Sequence, residues 1–255
     1  MKYIYAFLTS LSKSLTYRAN FILKFITVFF ETIISLFMWI AIYKFNSSGE
    51  IMGISSHQMT IYLLLVNLIS LIFSMDPIFE LSKLIRDGNL TVSIIRPINL
   101  LYFSLGQYVG KVFPFLLIYM IILVFNLISN PIKLLISIIS VVTIYIMFFL
   151  LITCISLCGF WLIQVWPLRP IINACFLLLG GKLFPLQLLP NSLRWQVYNP
   201  FGLAGNQLAM ISMGKLSIQD ILFNLVIAVI WIFILNKLIV FWGKKGLKRF
   251  EGVGV

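Results

Sequence analysis

Hydrophobic residues along the chain gather into six long blocks that are separated by short polar stretches. A helix that crosses the hydrocarbon layer of a bilayer needs about 20 consecutive apolar residues, and each block is about that long. A lone segment in lipid must satisfy its own backbone hydrogen bonds, so each block is predicted to be a helix. The pattern predicts an all-α polytopic membrane protein with six transmembrane helices, at residues 21–43, 58–75, 103–129, 133–158, 168–186 and 218–242.

The N-terminal stretch 3–16 has an amphipathic pattern rather than a spanning one. Its apolar residues recur at helical spacing, while Lys2, Thr9 and Lys13 lie elsewhere on the helix circumference. A helix of this kind lies in the plane of the membrane interface. The alternative is a frayed polar tail. The apolar positions are Ile4, Phe7, Leu8, Leu11 and Leu15.

A second short helix is predicted at 77–87, between spans two and three. Asp76 suits the N-cap and Pro77 the first helical position, while Gly88 suits the left-handed position that ends a helix. This stretch is too short and too charged to cross a membrane.

The faces of this short helix differ in character. Ile78, Leu81 and Ile85 form an apolar stripe, and a second stripe is charged. An amphipathic helix of this size is suited to a groove in a soluble partner. The alternative is a helix that lies on the membrane surface.

Composition and charge support a membrane class and indicate the orientation. The chain is 61% hydrophobic and 10% charged, whereas an ordinary soluble domain is about a quarter charged. Of its 19 Lys and Arg residues, 14 fall on the side that carries both termini in a six-span arrangement, and 5 fall on the other. Positive residues favour the cytoplasmic side, so both termini are predicted to be cytoplasmic in a multi-pass protein of the cell membrane. The net charge of +12 is then accounted for by topology and anionic lipids, without a nucleic-acid partner.

Glu31 is an acid near the middle of the first span. A charge at that depth costs roughly 2.5–3.5 kcal/mol on insertion scales, so the residue should face protein or water and have a partner. It is a candidate for the translocation path or for a subunit interface. The alternative is a protonated side chain hydrogen-bonded inside the bundle, which Gln would replace well.

Few residues are suited to catalysis or to cofactor binding. With one His and seven acids, the chain shows no catalytic arrangement, and Cys154 and Cys158 are interpreted as packing residues rather than metal ligands. The fragment Gly180-Gly181-Lys182 lacks the first glycine and the hydroxyl residue of a phosphate-binding loop, and is predicted on the outer side. We therefore predict neither an enzyme nor a chain that itself binds a cofactor or metal.

Several short motifs match a known family in order and spacing along nearly the whole chain. With them, the chain resembles the permease subunits of ABC type-2 exporters, in particular a bacterial group of six-span permeases. The motifs are Tyr17-Arg18-Ala19-Asn20-Phe21, Trp39, Ile85-Arg86-Asp87-Gly88-Asn89-Leu90, Ile95-Arg96-Pro97-Ile98-Asn99, Gly181 through Pro185, Leu189-Pro190 and Asn199-Pro200.

The resemblance implies a permease that pairs with a second permease and a dimer of cytosolic ATPases, which would bind ATP and Mg. A hetero-pair of permeases is favoured over a homodimer. Segment 3–16 would be the interfacial helix, and 184–206 a partly re-entrant external segment between spans five and six. Segment 77–87 would be the helix that couples to the ATPase, through Ile78, Leu81, Lys83, Leu84, Ile85 and Arg86.

Two other functions stay open at this point. A secondary transporter or channel is the main alternative, although the two halves show no inverted repeat and no matching pair of Gly/Pro-broken spans. A membrane-embedded enzyme or immunity protein has no supporting arrangement of residues. Drugs, peptides and lipid-like molecules all fit the sequence as exported substrates.

Overall fold

The computed structural model describes residues 2–45, 50–87, 99–162 and 164–249, and within them gives no side-chain account of Pro77 and Arg86. All of its long secondary-structure elements are helices. Helices α1 to α4 span Lys2–Thr16, Arg18–Lys44, Ser56–Ile72 and Asp76–Arg86. Helices α5, α6 and α7 span Leu100–Leu127, Pro131–Ser156 and Leu168–Leu179, and the last helix, α9, spans Ile218–Arg249.

Between α7 and α9 the chain forms several short turns. Two 3-10 turns cover Leu186–Leu188 and Asn191–Tyr198. The α-helical turn Pro200–Gly202, the π-helical turn Leu203–Gln207 and the helix Leu208–Ser212 then follow without interruption. We call these three together α8.

Within the part of the chain that the structure describes, four helical stretches are long and apolar enough to cross a membrane: Arg18–Lys44, Leu100–Leu127, Pro131–Phe160 and Ile218–Arg249. The third of these is α6 together with a 3-10 turn at its end. The apolar helices α3 and α7 are shorter, with 17 and 12 residues. These helices have lengths of about 26 and 18 Å, against a hydrocarbon layer of about 30 Å.

Asparagine and serine caps fix where several of these helices begin. The Ser55 side chain accepts a hydrogen bond from the Gln58 backbone N–H at the start of α3. Asn99 accepts from the second and third residues of α5. Asn130 accepts from the backbone of Lys133, and Pro131 occupies the first turn of α6. These contacts satisfy N–H groups that have no partner within the helix.

The α3 helix lies in the centre of the molecule. It packs against α2 on one side and against α5 and α8 on others. Tyr62, Leu63, Val66 and Ile69 on this helix are essentially inaccessible to solvent. This helix is therefore short but lies largely inside the core.

Helix α1 packs along α5 through small residues. Ala6 is fully buried, and the Ser10 and Ser14 hydroxyls donate to the Gln107 and Lys111 carbonyls of α5. The facing residues on α5 are Gly106 and Gly110, which form a Gly-x-x-x-Gly pair. A helix lies where the sequence predicts one, and its apolar residues Ile4, Leu8 and Leu15 remain exposed on the opposite side.

A small β-hairpin precedes α3. Strands β1 (Glu50–Ile51) and β2 (Ile54–Ser55) pair antiparallel, and Met52 and Gly53 between them both have positive φ. Positive φ at both central residues is the geometry of a type I′ turn, which suits the twist of a two-residue hairpin loop. The Tyr43 hydroxyl of α2 donates to the Ile54 carbonyl and fixes the hairpin to the end of that helix.

Two of the spans differ from their predicted bounds. The fifth span, predicted at 168–186, is helical only over Leu168–Leu179. The reason is Gly181, whose positive φ of 75° turns the chain out of the helix. The sixth, predicted at 218–242, extends to Arg249, because Gly246 is buried against Phe160 and keeps the end of α9 packed on the protein.

Candidate functional site

The short helix α4 is held against the ends of the long helices by its apolar side. Ile78 and Ile85 are buried, and Ser82, also buried, donates a hydrogen bond to the Ser156 carbonyl at the end of α6. A Cβ at Gly159 would lie 3.0 Å from the Cβ of Ser82, so a larger residue there would press on α4. Ile78 and Ile85 were predicted to contact a partner, but they face the chain itself and so position the helix.

The outward face of α4 is charged. Glu80, Lys83 and Asp87 are exposed, and Leu81 and Leu84 are half-buried at its margins. Of the predicted coupling residues, Lys83, Leu81 and Leu84 are therefore accessible to a partner. The Arg86 side chain and residues 88–98, which contain part of the resembling motifs, lie outside the description.

Three basic residues from three different helices meet at Asp76, the first residue of α4. Its carboxylate lies 2.7 Å from Lys111 Nζ of α5, 3.4 Å from Lys24 Nζ of α2 and 3.6 Å from the Arg169 guanidinium of α7. The guanidinium also lies over the ring of Phe79. The sequence suggested an N-cap role for Asp76, but its carboxylate instead joins α4 to three helices.

The cations set the ionisation of Asp76. Burial alone would raise the pKa of this carboxyl, but the charges of Lys24 and Lys111 and hydrogen bonds from Lys111 and Ser74 outweigh that effect. The pKa therefore lies well below its ordinary value of about 3.9. Because the folded-state pKa is lowered, the stabilisation is complete above that ordinary value and is lost as the pH falls toward the folded-state pKa.

Glu31 has the partner that its position demands. Its carboxylate lies 2.5 Å from Lys182 Nζ, and the Lys182 side chain is 15% exposed against 48% for Glu31. Trp39, two turns further along α2, donates from its indole N–H to the Leu183 carbonyl. The Gly180-Gly181-Lys182 fragment was predicted on the outer side, but it lies beside the midpoint of α2, because the α7 helix stops there.

A buried polar cluster lies beside the end of α7, where the chain leaves the helix. The Tyr62 hydroxyl lies 2.7 Å from the Gly181 carbonyl and 3.0 Å from Asn206 Oδ1, which also accepts from the Leu186 backbone N–H. Asn206 belongs to the π-helical turn of α8, a type of turn that is frequent at functional sites. Part of the predicted re-entrant segment 184–206 thus lies in the protein core.

Helix α8 continues from this point toward the loop between α5 and α6. The Tyr119 hydroxyl lies 3.1 Å from the Leu208 carbonyl and accepts a hydrogen bond from the Ser212 hydroxyl. Further along, Asn126 donates to the Ser212 carbonyl, and Lys133 donates to the Gly214 carbonyl. The end of α8 is therefore tied to the ends of α5 and α6 that lie opposite α4.

Sequence reasoning did not find the Asp76 cluster or the Tyr62–Asn206 contact. The signal for the first was available, because the 14 basic residues predicted on the side of the termini include Lys24, Lys111 and Arg169, and Asp76 is predicted on that same side. No signal existed for the second, since Tyr62 and Asn206 are separated by 144 positions and each looks ordinary alone.

One family model matches residues 29–254, and it describes an ABC-2 family transporter protein. The chain belongs to this family. It is a permease, the membrane-embedded component of a transporter rather than a catalytic one, and permeases of the family typically work with an ATPase subunit. The predicted family is thereby confirmed. No match was found among curated proteins or among solved structures.

Proposed function

We propose that this permease exports an amphipathic drug, peptide or lipid-like substrate by using a separate cytosolic ATPase dimer, which binds ATP and Mg. The family match over residues 29–254 carries this proposal. A second permease completes the complex, and a hetero-pair is favoured over a homodimer. Glu31 then serves in the translocation path or at the interface between the permeases.

Helix α4 is the element proposed to contact the ATPase. Its apolar side is buried against α6, and ion pairs of Asp76 connect it to α2, α5 and α7. Because α4 is fixed to several helices, a displacement of α4 by a partner would move those helices together, since coupling between distant sites is carried by rigid elements in contact. Its exposed charges at Glu80 and Lys83 supply a specific polar surface for the partner.

A secondary transporter or channel remains the alternative function. It would need no ATPase, and the outward face of α4 would then lie on the membrane surface. Co-purification with an ATPase encoded beside this chain separates the two functions, because only the exporter requires that partner.

The test of the coupling role reverses a charge on the outward face of α4. We expect Lys83→Glu to reduce the amount of ATPase that co-purifies with the permease at least fivefold and to abolish ATP-driven efflux of a fluorescent amphipathic dye. The matched control is Lys215→Glu, which reverses an equally exposed lysine in the turn before α9.

Each result has a definite meaning. Loss of the ATPase with Lys83→Glu, but not with Lys215→Glu, supports the coupling role. Equal retention of the ATPase by both variants contradicts that role while leaving the exporter proposal intact. Failure of any ATPase to co-purify with the parent permease contradicts the exporter itself and favours the alternative.

A further inference from the structure

A cavity of about 860 Å³ opens between α1, α2 and α5, beside the start of α4. Its walls come from Ser10 and Lys13 of α1, Lys24 of α2, and Gln107 and Lys111 of α5. The cavity exists because α1 packs on α5 while α2, which joins α1 at Tyr17, leans away toward α3.

Among the described residues that line this cavity, positive charge is in excess. Three lysines line it against two carboxylates, Asp76 and Glu80. Lys111 lies 2.7 Å from Asp76 and 3.4 Å from Glu80, and Lys24 lies 3.4 Å from Asp76, so both acids and two of the three lysines are already paired. Among the residues that the structure describes, Lys13 has no ion pair, which leaves an unneutralised cation at the cavity wall.

Part of the cavity lining is aromatic. Phe115 lies one turn past Lys111 on α5, and Phe21 lies one turn before Lys24 on α2. The two phenyl rings stack with centroids 4.6 Å apart and planes at 10°. A molecule that fills the cavity therefore meets both lysine side chains and aromatic surface.

We propose that this cavity is a binding site for an anionic phospholipid, with the headgroup phosphate at the unpaired Lys13 and the acyl chains against Phe21 and Phe115. The exposed apolar side of α1 at Ile4, Leu8 and Leu15 sets the cavity at the depth of the headgroups. Basic pockets between membrane helices are suited to anionic headgroups for the same electrostatic reason. This inference does not depend on which substrate is exported.

Free phosphate shares the charge of a lipid headgroup but lacks its chains. It would gain nothing from the aromatic lining at Phe21 and Phe115. The lipid gains from both kinds of lining, since cations attract the headgroup and apolar surface covers the chains.

Native mass spectrometry of the purified full-length permease tests the proposal. The detergent-solubilised protein is titrated with phosphatidylglycerol, with zwitterionic phosphatidylcholine, and with phosphatidylglycerol in the presence of millimolar inorganic phosphate. We expect phosphatidylglycerol to bind at least tenfold more tightly than phosphatidylcholine, with no displacement by inorganic phosphate.

Variants of the cavity wall locate the site. Lys13→Gln removes the unpaired cation and should weaken phosphatidylglycerol binding about fivefold, the effect of one basic residue near an anionic surface. Gln107→Glu adds a carboxylate to the opposite wall at nearly constant size and should weaken it by at least as much. Lys44→Gln, at the far end of α2, is the matched control and should bind as the parent does.

Three outcomes overturn the proposal. Equal binding of the two lipids removes the role of charge, and parental binding by both Lys13→Gln and Gln107→Glu places the lipid elsewhere. Displacement by inorganic phosphate identifies a site for free anions. Because the two variants alter different helices, a folding defect in one leaves the other to decide.

Discussion

At the residue scale, Glu31 has an ion-pair partner halfway along α2, because the ammonium group of Lys182 lies against its carboxylate. The two side chains come from segments 151 positions apart, and Lys182 is the more buried of the pair. Removal of Glu31 would leave a mostly buried ammonium group without its anion, and an unpaired buried charge is more damaging than loss of the pair as a whole. The structure therefore favours a charged role for Glu31 over a neutral hydrogen-bonding one.

This pairing changes what is expected of substitutions at position 31. We expect Glu31→Gln to destabilise the permease nearly as much as Glu31→Ala, by about 1–2 kcal/mol, because Gln keeps the shape but not the charge. For a protein of this size the melting temperature in detergent should fall by roughly 3–6 °C. The double variant Glu31→Gln with Lys182→Met should recover most of that loss, since it removes both charges.

The control for this pair is Ser35→Ala, one turn along α2, whose exposed hydroxyl only bonds to its own helix. It should leave the melting temperature within about 1 °C of the parent, as is usual for exposed surface substitutions. A Glu31→Gln variant as stable as Ser35→Ala would show that the ion pair contributes nothing to the fold.

At the element scale, the glycines of α5 decide how closely α1 can approach. A Cβ at Gly106 would lie 2.9 Å from the Tyr3 carbonyl oxygen, and one at Gly110 would lie 3.1 Å from the Leu11 nitrogen and closer still to the Phe7 carbonyl oxygen. Backbone atoms cannot move aside as a flexible side chain can. Small residues at such positions allow close packing of helices in a membrane, where lipid offers no hydrophobic drive for association.

We expect Gly110→Val to force α1 away from α5 and to expose it to protease. Trypsin should then cleave after Lys13 and after Arg18 at least tenfold faster in the detergent-solubilised protein. Gly243→Val is the matched control, because it makes the same change inside α9 where a Cβ would meet nothing within 4 Å. Equal cleavage rates in the two variants would contradict a close α1–α5 contact.

Local patterns in the sequence identify the short helices, but not the surfaces that they meet. The helices α1 and α4 begin and end within one or two residues of 3–16 and 77–87, since polar residues and Pro77 mark their ends. Periodicity grouped Ile78 with Ile85, yet it could not tell a partner's groove from the side of α6. That choice depends on Ser82 and Gly159, which are 77 positions apart and come together only in the fold.

Hydropathy failed for a different reason at the fifth span. Leu183, Phe184 and Leu186 keep the stretch after Leu179 partly apolar despite two glycines, Lys182 and Pro185, and the predicted span ran on to Leu186. The helix ends at Leu179 because Gly181 fits against Tyr62, where a Cβ would lie 2.6 Å from the hydroxyl. A packing constraint of this kind leaves no trace in a hydropathy profile.

At the scale of the whole molecule, α7 and α8 together follow the path of one span. Helix α7 starts beside Asp76 at the α4 end, and the chain reaches the midpoint of α2 at Lys182. Helix α8 starts near the end of α7, where Asn199 donates to the Leu179 carbonyl, and ends beside the loop between α5 and α6 at Gly214. Non-helical backbone at this depth is tolerated because Tyr62 and Asn206 satisfy it within the protein.

This path makes a definite prediction about orientation. If α7 and α8 count as one crossing and α3 as another, α1, α4 and the end of α9 share one side of the membrane. The same side holds Lys24, Lys111 and Arg169 around Asp76, so the positive-inside bias predicts that this side is cytoplasmic. Lys215, in the turn between α8 and α9, should then face the outside.

Cysteine labelling in intact cells checks this arrangement. In a background with Cys154, Cys158 and Cys175 replaced by Ala, Lys215→Cys should react with a membrane-impermeant maleimide, while Lys83→Cys should react only after permeabilisation. Both lysines are exposed, so a difference in labelling reports the side of the membrane rather than burial. Labelling of Lys83→Cys from outside would contradict the predicted orientation. It would place α4 outside the cell, where no cytosolic ATPase could bind it. Three crossings separate the two positions if α7 and α8 together count as one: α5, α6, and α7 with α8. An odd number of crossings puts the positions on opposite sides of the membrane. Labelling of both from outside would therefore show that α7 and α8 do not form a single crossing.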